Sequence, residues 1–477
     1  VALGTVIIGL AGAWHYAQLD LTLSHYDARG HLIVARRVFD NLTPGWIQFG
    51  AVWLPLPHVL NAIPVQWDWA YRTGATGVFW SIVVMAWGMA LVARLVARHL
   101  DSPLAGAAVA AAVGLNASTL YLLSTPMTEP LLFGLAGVAL YAVDRFVWTP
   151  SPVTARHAGW ALAALVMTRY EGWCIGGVLG GLALIARPRQ IAPVALWPVG
   201  AIAVFLLHSY GSTGRWFTTG GFFEANNPAL GDPVLAWSQI VEAARTLTDP
   251  WVLTAGWVGA LSLVVVALRA HSEGRAAVIG HLLPLALFAA VALPLYAFTS
   301  GHPVRVRYML SLVVAATVVA SWTLWWVPVR FRGAVAVVGL GAVLLASPPM
   351  NPKAPMVQEA QWELPHSRAR ESVTALLAKE WDGTPIMASM GSLGHYMQQM
   401  AHAGFDLEDF LHEGNGQLWK AAVLDPAPYV RWMLIEETAE GGDMLAQRAR
   451  ANDRYLARFE RLADGGGVVL YRRRPIP

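Results

Sequence analysis

The stretch "LSHYDARGHLIVARRVFDN", residues 23–41, decides how this chain is read, because it follows directly on the apolar run "VALGTVIIGLAGAWHYAQL", residues 1–19. An apolar segment of nearly span length gives way to two carboxylates, two histidines and three arginines. Leu32, Ala35, Phe39 and Leu42 recur at helical spacing, so the stretch predicts an amphipathic helix lying at a membrane surface, opened by Asp27. Asp27 and His31 are four residues apart and share a face of that helix. Two readings of Asp27 stand side by side. It is a reactive carboxylate, or it completes a capping box with Ser24.

The rest of the 477 residues fits a membrane setting. Hydrophobic residues make up 56% and charged residues 13%, against about 25% charged in an ordinary soluble domain. The mean hydropathy is +0.47. The apolar runs have helix length rather than the ten-residue alternation of a membrane barrel, which excludes the barrel class. Charge is uneven: residues 351–477 carry 14 Lys and Arg and 17 Asp and Glu. The division predicts a membrane part, 1–350, and a soluble part, 351–477. The basic residues of the first part sit at span ends, where topology accounts for them, so nucleic acid is not implied. A single cysteine, Cys174, permits no internal disulfide. The first apolar run lacks a small-residue cleavage site and reads as an anchor.

About eleven spans are expected: 1–19, 74–97, 104–123, 127–147, 158–168, 173–186, 191–209, 251–268, 278–298, 308–327 and 333–347. Arginine bias places one set of short loops inside, and the long loops rich in Trp, His, Asp and Glu outside, together with the soluble part. Function is expected on that outer face. The soluble part alternates: helix 367–381, strand 384–390, a helix from "GSLGHYMQQMAH", strand 430–437, a helix across "GDMLAQRARANDRYLARF", and strand 467–473. This predicts a small α/β domain. It carries no phosphate-binding glycine fingerprint, and no repeat of 20–50 residues is evident.

Five outer segments bring residues with chemistry. "GWIQFGAVWLPLPHVL" (45–60) supplies His58 among tryptophans that read either as an interfacial belt or as a substrate wall. "STPMTEPLLFGL" (124–135) puts Glu129 at a helix start, where it either complements the helix dipole or faces a polar cavity. "MTRYEGW" (167–173) interrupts a hydrophobic stretch with Arg169 and Glu171, which pair with each other or with neighbouring charges. "TSGHPVRVRYML" (299–310) carries His302, Arg305, Arg307 and Tyr308. Its arginines either make ion pairs or meet an anion, since guanidinium forks suit phosphate oxygens. With Asp27 in the first outer loop, these residues suit a substrate with a lipid tail, a phosphate and a polar head. Arginines would offset charge on a leaving phosphate, and an aspartate would take a proton from an attacking hydroxyl.

This arrangement resembles the GT-C superfamily of integral-membrane glycosyltransferases. The resemblance covers residues 1–350 as an architecture and four motifs: "SHYDARGHL", "MTEPL", "TRYEGW" and "RVRYML". It implies a mainly α fold, a polytopic helical bundle followed by a small outer α/β domain. It also implies inverting transfer of a sugar from a polyprenyl-phosphate donor to an acceptor lipid, glycan or protein. Asp27 and Glu129 are the catalytic candidates. His31, His58, Arg169, Glu171, His302, Arg305, Arg307 and Tyr308 are the substrate-binding candidates. The family's first loop often pairs two acidic residues, whereas Asp27 stands between Tyr26 and Ala28. Metal dependence, including use of a divalent cation, is therefore left open. The expected location is a bacterial inner membrane, with membrane lipids as neighbours and the C-terminal domain periplasmic. The alternatives are a transporter, which should carry internal repeats, and a non-catalytic subunit docked to a protein partner.

Overall fold

The computed structural model describes residues 1–218, 223–439 and 442–475. It divides into two compact units.

The first unit comprises residues 1–19, 51–57 and 78–358. Among the described residues, seven helical segments are long and apolar enough to cross a membrane, or eight if one bent pair counts as a span. The unit is thus a multi-pass membrane bundle. The first helix, Ala2–Gln18, and the helices Pro152–Val166 and Glu171–Ala186 have 17, 15 and 16 residues. At ~1.5 Å per residue each falls short of a ~30 Å hydrocarbon core. The expected single span at 104–123 is instead the bent pair, Pro103–Leu115 and Ala117–Leu123, turned by 74°. Asn116 makes the break. Its carboxamide oxygen accepts from the Thr119 amide at 3.1 Å, and its amide donates to the Leu247 carbonyl at 2.9 Å. A side chain that caps a new helix stops the old one.

Close crossings rest on small residues. A Cβ on Gly88 would collide with the backbone of Gly134, and one on Gly259 with the backbone of Val319. The Ala75–Leu100 and Glu129–Trp148 helices therefore touch main chain to main chain, as expected where lipid gives no hydrophobic drive to helix pairing.

The second unit comprises residues 20–50, 58–77 and 359–477. Its core is a five-stranded sheet: β1 (Ile386–Ala388), β2 (Phe410–Leu411), β3 (Trp432–Glu436), β4 (Phe459–Gly465) and β5 (Val468–Arg473), in the order β2-β1-β3-β5-β4. Strands β2, β1 and β3 run parallel, and β5 and β4 are antiparallel to their neighbours. Successive residues point to opposite faces. Ile386, Ala388, Trp432 and Leu434 face one core, while Met387, Met433 and Ile435 face the other.

The first of these cores contains Leu32, Ile33 and Ala35. The helix at the opening stretch runs Tyr26–Arg36 and is buried on nearly every side, which corrects the expectation of a surface-lying amphipathic helix. Phe39 and Leu42 lie beyond its end and are exposed. Arg36 anchors it. The guanidinium meets Asp40, Asp68 and Asp406 at 2.6, 2.8 and 3.1 Å and lies over the Tyr71 ring. In the soluble part, the helix expected across 442–459 ends at Ala451, and β4 begins at Phe459. The two-residue β2 was also not expected. Neither strand shows the alternating apolar pattern that marks one in sequence.

Candidate active site

In the membrane unit, three separate segments bring charge to one place. Glu129 is the first residue of the Glu129–Trp148 helix, with Pro130 next to it, where a proline suits a helix start. It is 1% exposed. A carboxylate there meets the positive end of the helix. Arg169, in the turn between the Pro152–Val166 and Glu171–Ala186 helices, places Nη1 2.9 Å from Glu129 Oε1. The same nitrogen donates to Thr128 Oγ1 at 2.9 Å. Its other nitrogens donate to the Glu171 carboxylate at 2.9 to 3.3 Å. Glu171 in turn opens its own helix and is 2% exposed. Arg307, in the short 3-10 turn Val306–Met309, brings Nε to 4.0 Å from Glu129 Oε1. Two guanidinium groups and two carboxylates thus balance in a buried setting, which an isolated charge could not occupy.

Residues 299–309 extend the site. The His302 and Tyr308 rings are 5.9 Å apart. His302 Nδ1 donates to the Pro303 carbonyl at 2.7 Å in the tautomer that satisfies it. Arg307 lies over the Tyr308 ring, 5.5 Å from its centroid. Arg305 precedes the 3-10 turn and is half-buried.

The remaining candidates lie in the α/β unit. His31 Nδ1 and His58 Nε2 are hydrogen-bonded at 3.0 Å, with both rings buried. One of the two must present a bare nitrogen for that bond to form. Asp27, one turn before His31, is half-buried. The helix cap is His25, whose Nδ1 accepts from the Asp27 amide at 3.1 Å. Ser24 donates instead to the Ala360 carbonyl. The helix cap is therefore His25, where the capping-box reading placed Ser24 with Asp27. An imidazole was a better local acceptor, and nothing in the residue pattern marks that choice.

Sequence reasoning passed over two groups in the α/β unit. Asn41 meets His412 at 2.8 Å, and Asn415 donates to Asn41 at 2.8 Å. Burial, with the nearby Arg37 charge, pushes His412 down to about 3. At the carboxyl end of β3, Glu436 and Glu363 share the Arg370 guanidinium, each at 3.3 Å, with His395 beside them. Their partners are hundreds of residues apart in some cases and adjacent in none, so only the folded chain reveals them. Among the described residues, no group of three or more His, Cys, Asp or Glu side chains is placed to hold a metal ion.

No family model matches the chain, and no curated protein matches it either. A solved structure does: ArnT from Cupriavidus metallidurans, determined bound to undecaprenyl phosphate. It is 12% identical, covers 99% of this chain and 98% of its own, and superposes with a TM-score of 0.55. That likeness shows the fold: a multi-pass helical membrane bundle with a small α/β unit.

Proposed function

We propose that the protein is an inverting glycosyltransferase that takes a sugar from a polyprenyl-phosphate donor and passes it to an acceptor at the outer face of the membrane. The observation that carries this reading is the buried cluster of Glu129, Arg169, Glu171 and Arg307, set in a fold shared with a protein crystallised with undecaprenyl phosphate.

In the proposed reaction Asp27 accepts the proton of an acceptor hydroxyl as its oxygen attacks the anomeric carbon. The bond from that carbon to the phosphate oxygen breaks on the opposite face, and the polyprenyl phosphate leaves with the electron pair. Arg305 and Arg307 hold the phosphate and offset the charge that grows on it, which is the kind of contact that lowers a barrier. Glu129 positions the acceptor. Arg169, already shared between two carboxylates and a hydroxyl, fixes Glu129 and stands as a third phosphate ligand. In the same proposal His302 and Tyr308 contact the sugar.

The test is genetic and chemical together. The gene is deleted and restored with wild type, Asp27→Asn or Glu129→Gln at equal protein levels, and surface glycolipids and glycoproteins are compared by mass spectrometry. A sugar-sized mass loss in the deletion and in both variants is expected. Full transfer by both folded variants would sink the mechanism. No glycan change in the deletion would favour a non-catalytic subunit.

A further inference from the structure

A cavity of about 590 Å³ lies between the Ala75–Leu100, Glu129–Trp148 and Pro152–Val166 helices of the membrane unit. Its apolar wall includes the half-exposed Trp87 with Leu91, Leu135 and Val138, and its polar end, the mouth, holds Arg145 and His157. Arg145 lies sixteen residues along the helix from Glu129. At ~1.5 Å per residue the mouth is ~24 Å along that helix from the glutamate, toward its opposite end.

Three features give the mouth its chemistry. Asp144, the acid next to Arg145, is 1% exposed and already taken by Arg98 and by His99 at 3.0 Å. Thr154, also at the mouth, sits in the first turn of the Pro152–Val166 helix, whose positive end favours a negative group. With Asp144 so engaged, the Arg145 guanidinium is the charge left at the mouth, next to His157. The opening is therefore cationic above an apolar, aromatic-walled slot, and basic pockets between membrane helices suit anionic lipid headgroups.

We infer that this groove binds one anionic glycerophospholipid, with its phosphate at Arg145 and His157 and an acyl chain in the slot. The site is separate from the Glu129 cluster and does not depend on the glycosyltransferase reading.

Native mass spectrometry of the full-length protein tests it, with phosphatidylglycerol and phosphatidylcholine of identical chains offered at equal concentration. The wild type is expected to retain phosphatidylglycerol preferentially. Arg145→Gln is expected to cut that retention about fivefold, the effect of one basic residue at a headgroup. Ala142→Phe, which fills the slot without touching the charge, is expected to lower it too, and serves if Arg145→Gln does not fold. Equal retention of the two lipids overturns the inference. So does a preference unchanged in Arg145→Gln, or a phosphatidylglycerol retention unchanged in Ala142→Phe. Polyprenyl phosphate is added in competition. If it displaces phosphatidylglycerol from wild type, the groove belongs to it and the phospholipid assignment falls.

Discussion

Arg169 serves two carboxylates and a hydroxyl at once. Removing it leaves Glu129 and Glu171 buried without their nearest countercharge, and breaking a buried pair from one side costs about 3–5 kcal/mol. Arg169→Ala is expected to lower the thermal unfolding temperature in detergent. Adding Glu129→Gln should recover part of the loss, because one stranded charge is gone. Asp27 should behave differently. Asp27→Asn is expected to keep the unfolding temperature and to lower transfer by about 10²–10⁴-fold, the usual worth of a general base. An equal loss of stability and activity would assign Asp27 to structure.

The Arg370 cluster supplies a pH dependence in the α/β unit. Burial pushes Glu436 up to about 7, against the pull of Arg370. Burial, with Arg370 and Arg29, pushes His395 down to about 3. The signs oppose each other. The folded chain holds the Glu436 proton more tightly, so its contribution is full below the ordinary 4.5 and lost as pH rises through 7. The folded chain disfavours protonated His395, so that contribution is present above 6.5 and lost as pH falls toward 3. Glu436→Gln is expected to gain about 3 kcal/mol relative to wild type between pH 4.5 and 8, read by amide hydrogen exchange in β3. A pH-independent difference would show that the carboxyl does not titrate there.

Among the elements, the Tyr26–Arg36 helix carries the most weight for the smallest length. Leu32 is 1% exposed within a core shared with Tyr396, Phe410 and Trp432. Leu32→Ala is expected to destabilise the α/β unit by about 2–5 kcal/mol, seen as faster exchange in β1 and β3 while the membrane helices keep theirs. Gly134→Leu makes the complementary test in the bundle. Its side chain would enter the backbone of Val84, and overpacking of this kind costs about 1–3 kcal/mol or more. A variant that unfolds at the wild-type temperature would show that the two helices have room to part.

The same elements show what the residue pattern could carry. Long apolar runs announced most membrane helices, because a span must be apolar over its length whatever its neighbours are. Strands β1, β3 and β5 were legible for a related reason, as short apolar runs closed by turn residues. The pattern failed where a single side chain chose between local partners. Asn116 broke a run that hydropathy reads as continuous, and His25 displaced Ser24 and Asp27 as a cap. It failed also for the opening helix, whose polar residues suggest a solvated face. Arg36 and Arg29 are buried there because Asp406 and the His395 carbonyl, more than 360 residues later, receive them.

At the scale of the whole molecule, the fold was recognisable from its order of parts, while identity to ArnT, whose fold it shares, is only 12%. Charge density suggested a division near residue 350. It could not show that residues 20–50 and 58–77 belong with the C-terminal sheet, since composition records what a segment is made of and not what it packs against. Among the site residues, the pairing of Arg169 with Glu171 was foreseeable from their spacing. The approach of both to Glu129 depended on the helix packing.

The split of the α/β unit between residues before 77 and after 359 also sets a timetable. A ribosome adding ~5–20 residues per second needs on the order of 15–60 s to bridge the roughly 280 intervening residues. Throughout that interval Leu32, Ile33 and Tyr71 wait without the sheet that will bury them. A chain stopped before β1 lacks nearly all the side chains that cover those three, so every shortened product of that kind carries an unburied apolar patch.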